Sequence, residues 1–433
     1  MKRTLLALVL SPALSAVAQP TTIIVDSGEL LTESDLLAGI FSGQPFSLGT
    51  DTTFEVNDGG AVDRLAGIPL GGGMRTAFDW QFSALNLNAG ALLRGDMFVG
   101  PGDNRPNSIS NVFLNVRDGA VVEGGVWVSG ESVVHITGGM VQGDLFAFGA
   151  TRVEIDGGVI GLPSSSNSPV LVAEGMVRIT GGEIVADQFS ATETSTLDVS
   201  DGSITNLIAK GQTTVSGGAI QSATIVGTGQ VSGGQHGSFL VQGIGAALRI
   251  DNGTFNSVSG GPFATMIVAG GTIDQLVARP TGPPGNVGNI SVSGGDIGVL
   301  RMLPGSSPVS VSGGEIDQVL MSGNSSLSLS GGVVDVLSAS SGSNVHLFVD
   351  ALLLDGLSIE LELGQSIQID DRSGVLLEAT LADGSFFDVW LGDDLNSLGN
   401  IFSGATLNVT RVPSPATLLI LGMTPLVVTR RKR

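Results

Sequence analysis

The chain has 433 residues, of which 65 are glycine, about twice the usual share, yet no strict Gly-X-Y triplet occurs and a collagen is therefore excluded. A mean hydropathy of +0.36 and a hydrophobic content of 42% exclude an intrinsically disordered chain. The absence of cysteine excludes disulfides, thiolate zinc ligands and a thiol nucleophile, and the net charge of −21 argues against nucleic acid as a partner, because an acidic chain repels the phosphate backbone.

The first eighteen residues have the three parts of a secretory signal peptide. Lys2 and Arg3 form a positive region, residues 4–10 begin an apolar segment, and Ala16 and Ala18 form a small-x-small cleavage site. We therefore predict that signal peptidase removes residues 1–18 and that the protein is exported.

Residues 19–118 are predicted to form an N-terminal cap followed by irregular first coils of a repeat. Looser copies of the repeat's turn occur around residues 58–60 and 118–119, and a short helix is predicted near Ser34 to Ile40. A cap is expected because the open end of a stack of strands exposes unpaired edges, which promotes aggregation.

Residues 119–344 are dominated by one repeated unit with the pattern aliphatic-x-aliphatic-(Ser/Thr/Asp)-Gly-Gly-x-aliphatic. Eleven copies occur between Val134 and Val334, about 19 residues apart, and their first turn residues lie at positions 138, 157, 181, 201, 217, 233, 252, 270, 294, 313 and 331. Two copies begin the turn with Asp201 or Asn252 in place of glycine. Since Asp and Asn tolerate positive φ best among the other residues, this substitution indicates that the first turn residue needs that backbone conformation.

Two columns of apolar residues run through the eleven copies. The residue two before the turn is apolar in every copy, and the residue three after it is apolar in ten, with His236 as the exception. β-branched residues that alternate with polar ones predict strands with one buried face, and we interpret His236 as a local register slip. One copy alone buries too little apolar surface, but stacked copies bury both columns continuously.

The predicted fold is therefore all-β: a parallel β-helix, or β-solenoid, with right-handed coils of about 19 residues and terminal caps. Eleven coils at a spacing of ~4.8 Å give a rod of roughly 50 Å. The alternative is an array of Greek-key β-sandwiches, which the nearly constant position of Gly-Gly disfavours, since sandwich strands need varied connections. The residue directly before the turn is Ser, Thr or Asp in every copy except the one with Ala269, which predicts a stacked polar ladder.

The Gly-Gly pattern ends in residues 345–411. Alternating segments such as residues 357–363, and the segment 379–385, predict a small terminal β-sheet. We interpret this sheet as a C-terminal cap.

The last 22 residues, 412–433, combine a proline-containing motif with a short apolar segment and a basic terminus. The apolar segment of residues 416–429 is shorter than the ~20 residues of a stable spanning helix and contains Pro425, so it is suited to recognition rather than to permanent anchoring. The motif and the basic cluster consist of Val412, Pro413, Ser414, Pro415, Ala416 and Thr417, and of Arg430, Arg431, Lys432 and Arg433.

This combination resembles a PEP-CTERM sorting signal, with Ser414 where that family has its central glutamate. The resemblance implies that an exosortase, a transpeptidase-like membrane enzyme, removes the tail and delivers the protein to the cell surface or the extracellular matrix of a Gram-negative bacterium. It also implies that the protein contacts the membrane only through the transient tail.

We assign no catalytic, cofactor-binding or metal-binding residue from the sequence. A polysaccharide lyase or hydrolase needs a basic residue beside carboxylates, or a pair of acids, whereas the repeats contain one lysine, Lys210, and scattered acids. The three histidines, His135, His236 and His346, do not suggest a shared site. The polysaccharide-modifying β-helix enzyme is the alternative function.

Two further binding modes are weighed against the composition. No calcium-binding loop motif occurs, so calcium is expected only as weak, diffuse surface binding, although a calcium-stiffened adhesin is a third hypothesis. Trp80, Trp127 and Trp390 lie far apart and tyrosine is absent, which argues against an aromatic groove for sugars.

We therefore expect a non-enzymatic, exported rod with a structural or adhesive role. Its partners would be signal peptidase and exosortase during export, and extracellular polysaccharide or other matrix components afterwards.

Overall fold

The computed structural model describes residues 21–32, 35, 40–41, 44–45, 52–62, 84–94, 97–99, 113–161, 170–185, 188–280, 288–370, 374–392, 400–401 and 404–413. The predicted helix near residues 34–40 lies almost wholly outside these residues, and Ile40 belongs to a strand.

The strands up to residue 160 are short. They are β1 (Thr21–Val25), β2 (Leu30–Leu31), β3 (Ile40–Phe41), β4 (Gln44–Pro45), β5 (Thr52–Val56), β6 (Ala61–Val62), β7 (Ala84–Leu87), β8 (Leu92–Leu93), β9 (Met97–Val99), β10 (Phe113–Val116), β11 (Val121–Val122), β12 (Val126–Val128), β13 (Val133–Ile136), β14 (Met140–Val141), β15 (Leu145–Ala147), β16 (Arg152–Ile155) and β17 (Val159–Ile160).

Many of the later strands are longer. They are β18 (Val170–Ala173), β19 (Met176–Ile184), β20 (Gln188–Ala191), β21 (Thr196–Ala209), β22 (Gln212–Val215), β23 (Ala219–Ile225), β24 (Thr228–Val241), β25 (Ala247–Gly260), β26 (Thr265–Val268), β27 (Thr272–Ala278), β28 (Asn289–Met302), β29 (Val309–Met321), β30 (Ser326–Ala339), β31 (Asn344–Leu354), β32 (Leu357–Ser358), β33 (Ser366–Gln368), β34 (Val375–Leu381), β35 (Phe386–Leu391), β36 (Asn400–Ile401) and β37 (Thr406–Arg411).

The described chain is all-β, as predicted, and has the arrangement of a β-solenoid. Thirty-five of the described strands belong to one sheet. Along the repeats a strand pairs in parallel with its counterpart one coil later, as β13 pairs with β16, β14 with β17 and β15 with β18. Each coil thus contributes three strand segments, which we call the first, second and third faces in chain order. In later coils such as β21 and β24 the segments merge into one bent strand.

The predicted column two residues before the turn is confirmed, and it extends beyond the eleven copies. One unbroken register joins seventeen first-face strands, and the inward residue of each is at most 2% exposed. These residues are Val25, Val56, Leu87, Val116, Ile136, Ile155, Ile179, Val199, Val215, Val231, Ile250, Val268, Val292, Val311, Leu329, Leu347 and Val409.

The third face supplies apolar columns that the sequence analysis did not identify. Its inward residues include Phe189, Leu207 and Phe239, which are buried opposite the two predicted columns. The third-face segments come after the turn in each coil. At their inward positions, alanine, phenylalanine and methionine occur where the first face has mostly β-branched residues. Because their residue types vary, these segments do not form a recognisable repeat.

The turn conformation differs from the prediction. In all eleven copies the residue with positive φ is the second turn residue, which is always glycine, with φ between 70° and 116°. Asp201 and Asn252 do not have positive φ; instead the side-chain Oδ1 of each accepts a hydrogen bond, 2.8 Å long, from the amide of the following glycine. The prediction that the first turn residue needs positive φ is therefore wrong, and Asp and Asn occur there because they hydrogen-bond the turn.

A second constraint lies at the corner that precedes each first-face strand. Six residues before the turn the described copies carry only small residues, because the backbones of neighbouring coils meet there. A Cβ added to Gly175 would lie 1.9 Å from the carbonyl oxygen of Thr151, and one added to Gly211 would lie 2.2 Å from that of Ser195. The sequence analysis missed this column.

The described ends of the stack differ from each other. Between β1 and β10 the coils have longer connections, and their described first-face strands pair in the same register as the later ones. At the other end β31 pairs in parallel with β30 and β37 and antiparallel with β34, which forms an antiparallel hairpin with β35. The assignment of these end segments as caps stays a prediction.

Candidate functional surface

The outward side chains of the first face form a ladder along the stack, and we call this surface the ladder face. In seven of the eleven copies the residue directly before the turn donates its hydroxyl to a backbone carbonyl one coil earlier, at 3.3–3.5 Å. The donors are Thr137, Ser200, Ser216, Ser232, Ser293, Ser312 and Ser330. The geometry fits the predicted polar ladder, with backbone carbonyls as its acceptors.

In the first coils the ladder is built from amides. The Nδ2 of Asn57 donates to Asp26 at 2.7 Å and that of Asn88 donates to Asn57 at 2.9 Å, while Arg117 donates to Asn88 at 2.7 Å. A parallel chain two residues earlier links Asn115 to Asn86 and Asn86 to Glu55. These bonds join coils that have long connections between them, so they hold the first coils in register.

The strongest cluster of ionisable groups on the ladder face lies around Asp156. The Nε2 of His135 is 2.7 Å from Oδ2 of Asp156, and Thr180 donates its hydroxyl to Oδ1. Hydrogen bonds from Thr180 and His135 hold the pKa of Asp156 below its usual range, although burial opposes them. Nearby, Arg152 forms an ion pair with Glu154, which is the register partner of His135.

This cluster does not have the geometry of a nucleophilic triad. The carboxylate of Asp156 lies between the hydroxyl and the imidazole, so His135 does not accept the proton of Thr180. A lowered pKa keeps Asp156 ionised, which is unsuited to a general acid. His135 and Asp156 are also 33% and 44% exposed, so water surrounds them. The cluster is best explained as an inter-coil contact.

Further along, the ladder face carries a flat, uncharged group of hydroxyls that we call the serine patch. The side chains of Ser291, Ser310 and Ser328 are register partners in three successive coils, partly exposed, and hydrogen-bonded to nothing in the described part of the protein. Beside them, three further hydroxyls donate to backbone carbonyls of the coil before, so that their oxygen atoms can still accept hydrogen bonds from outside. These are the hydroxyls of Ser293, Ser312 and Ser330. The patch therefore presents both donors and acceptors at a repeat of ~4.8 Å.

The second face of the same coils is acidic. Asp296 and Glu315 are register partners, and Asp317 and Asp335 each follow a buried residue of the neighbouring column. All four are exposed. Among the residues that the structure describes, no group of three or more His, Asp or Glu side chains is placed to hold a metal ion.

An aromatic stack on the outside of the third face was missed in the sequence analysis. The rings of Trp127 and Phe146 lie in successive coils with centroids 5.6 Å apart, and Phe146 stacks on Phe148 at 5.9 Å. Its phenylalanine members give no signal in the sequence, because the third-face strands do not form a recognisable repeat. Because the rings of Trp127 and Phe146 stack across neighbouring coils, they cover the faces that they turn toward each other, and sugar rings need such faces for stacking.

The other two histidines lie at different levels of the stack. His346 in β31 is 2.7 Å from the hydroxyl of Thr410 and stacks on Phe348, and burial lowers its pKa. His236 is a core residue that pairs in register with Ile220 and Phe255, without any shift at this position. The interpretation of His236 as a register slip is therefore wrong: the imidazole simply replaces an aliphatic side chain in the column.

A polar cavity of about 120 Å³ lies where the described chain ends. It is bordered by β31, by residues 358–361 and by Arg411, with Asp350 and Glu360 among its lining residues. Arg411 donates to the carbonyl of Leu361, while its Nε is buried without a hydrogen-bond partner. Two carboxylates, of Asp350 and Glu360, and the single guanidinium of Arg411 do not define a class of ligand for this cavity.

The residues predicted for export and sorting are almost all beyond the described chain. Val412 donates its amide to the carbonyl of Val349 at 2.8 Å, and Pro413 is partly exposed. The described residues contain no helix with the length and apolarity to cross a membrane. The predicted residues outside the described ranges are Ala16, Ala18, Ser414, Pro415, Ala416, Thr417, Arg430, Arg431, Lys432 and Arg433.

Comparisons with protein-family models, with curated proteins and with solved structures found no match to this chain.

Proposed function

We propose that this protein is an exported, non-enzymatic rod with a structural or adhesive role at the cell surface or in the extracellular matrix. The observation that carries the proposal is the unbroken register of seventeen first-face strands, which spans roughly 75 Å at ~4.8 Å per coil. A stack of this kind supplies length and repeated surface chemistry, with each coil contributing one row of side chains.

The surface chemistry supports contact with matrix polymer. The serine patch is uncharged in a chain of net charge −21, so it avoids repulsion from acidic polymers and offers hydroxyl partners to neutral ones. Such contacts are individually weak, and a repeated array compensates by making many of them at once. We assign the adhesive role to this patch.

We further propose that the solenoid is a right-handed parallel β-helix. Crossovers between parallel strands in one sheet are right-handed in nearly all proteins, because right-twisted strands pack back onto the sheet only in that sense. Export through residues 1–18 and sorting through residues 412–433 are proposed from the sequence motifs alone.

Mass spectrometry of the protein from secreted, cell-bound and matrix fractions tests the proposal. We expect the mature N-terminus at Gln19, loss of the basic terminus, and most of the protein in the cell-bound and matrix fractions. A surface form that ends at Arg433 would contradict sorting, and a mature form that begins at Met1 inside the cell would contradict export.

A further inference from the structure

The imidazole of His236 is enclosed within the core of the stack. It is 5% exposed, and its ring centroid lies 4.9 Å from that of Phe255 and 5.2 Å from that of Phe239. A Cβ added to Gly234 would lie 2.7 Å from Cε1 of the imidazole, so the ring also rests against the turn backbone. The column that holds His236 is aliphatic or aromatic in every neighbouring coil.

The hydrogen bonds fix the tautomer of this imidazole. Nε2 lies 2.9 Å from the carbonyl oxygen of Gly233, and a carbonyl only accepts, so Nε2 carries the proton. Nδ1 is then an unprotonated nitrogen, and it is buried without a hydrogen-bond partner among the described residues. A proton added to Nδ1 would therefore create both a charge and an N–H group that has no acceptor.

Among the residues that the structure describes, no opposite charge compensates this position. The strand packed on one side, β23, carries no charged residue, and β25 on the other side carries Arg249 and Asp251. These two pair with each other at 2.7 Å on the outside of the first face, and Asp251 also accepts a hydrogen bond from Gln230. Accordingly, burial lowers the pKa of His236, and the hydrogen bond to Gly233 offsets this only in part.

We propose that His236 is a pH-sensitive switch that makes the coil of residues 228–241 the acid-labile point of the solenoid. The neutral imidazole packs as an apolar ring, whereas its protonated form is expelled from between β23 and β25 and opens the stack locally. Acidification would thus loosen the rod near its middle while the coils on either side stay paired.

The pH window follows from the direction of the shift. An unfolded histidine binds a proton near pH 6.5, whereas folded His236 resists protonation, so the contribution of the neutral ring to stability is complete above pH 6.5 and is lost as the pH falls below it. Between pH 7.5 and pH 5.0 the opening constant of this coil should rise by up to about thirtyfold.

Hydrogen–deuterium exchange of the full chain tests the proposal, with rates corrected for intrinsic pH dependence. We expect peptides from residues 212–260 to lose protection at pH 5.0, while peptides from residues 290–339 keep it. His236→Leu should abolish the local loss, and the matched control His135→Gln, at a partly exposed histidine on the ladder face, should not. An equal loss of protection in wild type and His236→Leu, or none in wild type, would overturn the proposal.

Two further measurements apply if His236→Leu does not fold. His236→Phe keeps a ring in the column and should also remove the local loss. In the wild type, NMR of selectively labelled histidine should show His236 neutral at pH 6.0 with the proton on Nε2. A His236 signal that titrates near pH 6.5 in the folded protein would overturn the proposal.

Discussion

At the residue scale, the turn of each coil depends on one backbone conformation. The second turn residue has positive φ in all eleven copies, whereas the first is free to be Asp or Asn. The first-face register and the small corner residues bring neighbouring backbones so close that a Cβ at the second turn position meets the carbonyl of the coil before it. A substitution at the second position therefore carries two costs, from backbone strain and from steric overlap.

Gly218→Ala should destabilise the protein measurably. Gly218 has a φ of 77°, and an added Cβ would lie 2.7 Å from the carbonyl oxygen of Gly202. The left-handed conformation alone costs an alanine about 1–2 kcal/mol, and the overlap adds to it. Chemical denaturation measures the change; Ala219→Ser, at the exposed next residue, is the control and should be neutral. A stability of Gly218→Ala equal to that of the control would show that this backbone position is not constrained.

At the element scale, the hairpin of β34 and β35 covers the last turn of the stack. The turn residue Asp383 accepts a hydrogen bond from the amide of Gly332 at 2.8 Å and donates its own amide to Ser330 at 3.2 Å. These contacts take the place that a further coil would occupy. Burial raises the pKa of Asp383, but hydrogen bonds from Ser385 and Gly332 outweigh it and hold the pKa below its usual value.

Asp383→Ala should loosen this hairpin and lower stability by about 1 kcal/mol, the typical value of one net hydrogen bond. Because the folded pKa is depressed, the contribution of the carboxylate is present above pH ~3.9 and is lost as the pH falls through the folded pKa. The difference in stability between Asp383→Ala and the wild type should therefore be constant between pH 8 and pH 5 and should become smaller below pH 4. Hydrogen exchange of residues 374–392 measures it, with Asp388→Asn on the exposed side of β35 as the control. A difference that persists unchanged at pH 3 would contradict this role.

The first-face strands could be predicted from the sequence because their residues repeat. β-branched residues recur at a fixed offset from Gly-Gly, and that offset is set by the turn itself. The third-face strands could not, because Ala191, Phe189 and Met321 fill the same kind of inward position with different volumes. The regular register of the first coils was hidden by the long connections between β1 and β10.

The surface was harder to predict than the core. The polar ladder was foreseen because its residues directly precede the turn, but its acceptors are backbone carbonyls, which leave no trace in the sequence. The aromatic stack of Trp127 and Phe146 and the contact of His135 with Asp156 join residues one coil apart, and they became visible only once the coils were aligned. His236 was noticed as an exception in its column, yet its neutral, enclosed state follows only from the packing.

At the scale of the whole molecule, the protein is a stack whose length is set by the number of coils and whose surface changes along it. Along the ladder face, amide side chains join the first coils and the ionisable groups around Asp156 follow. The uncharged serine patch lies further along the same face. The absence of cysteine from the natural sequence makes pairs of introduced spin labels straightforward to place.

Double electron–electron resonance distances between pairs of spin labels on the ladder face test most directly whether the coils are stacked in one register. Thr214→Cys with Ser310→Cys places two labels five coils apart in one column, and Glu154→Cys with Ser328→Cys places two labels nine coils apart. At ~4.8 Å per coil we expect separations of about 24 Å and about 43 Å. Two separations that are equal, or that do not grow with the number of coils, would contradict the stack.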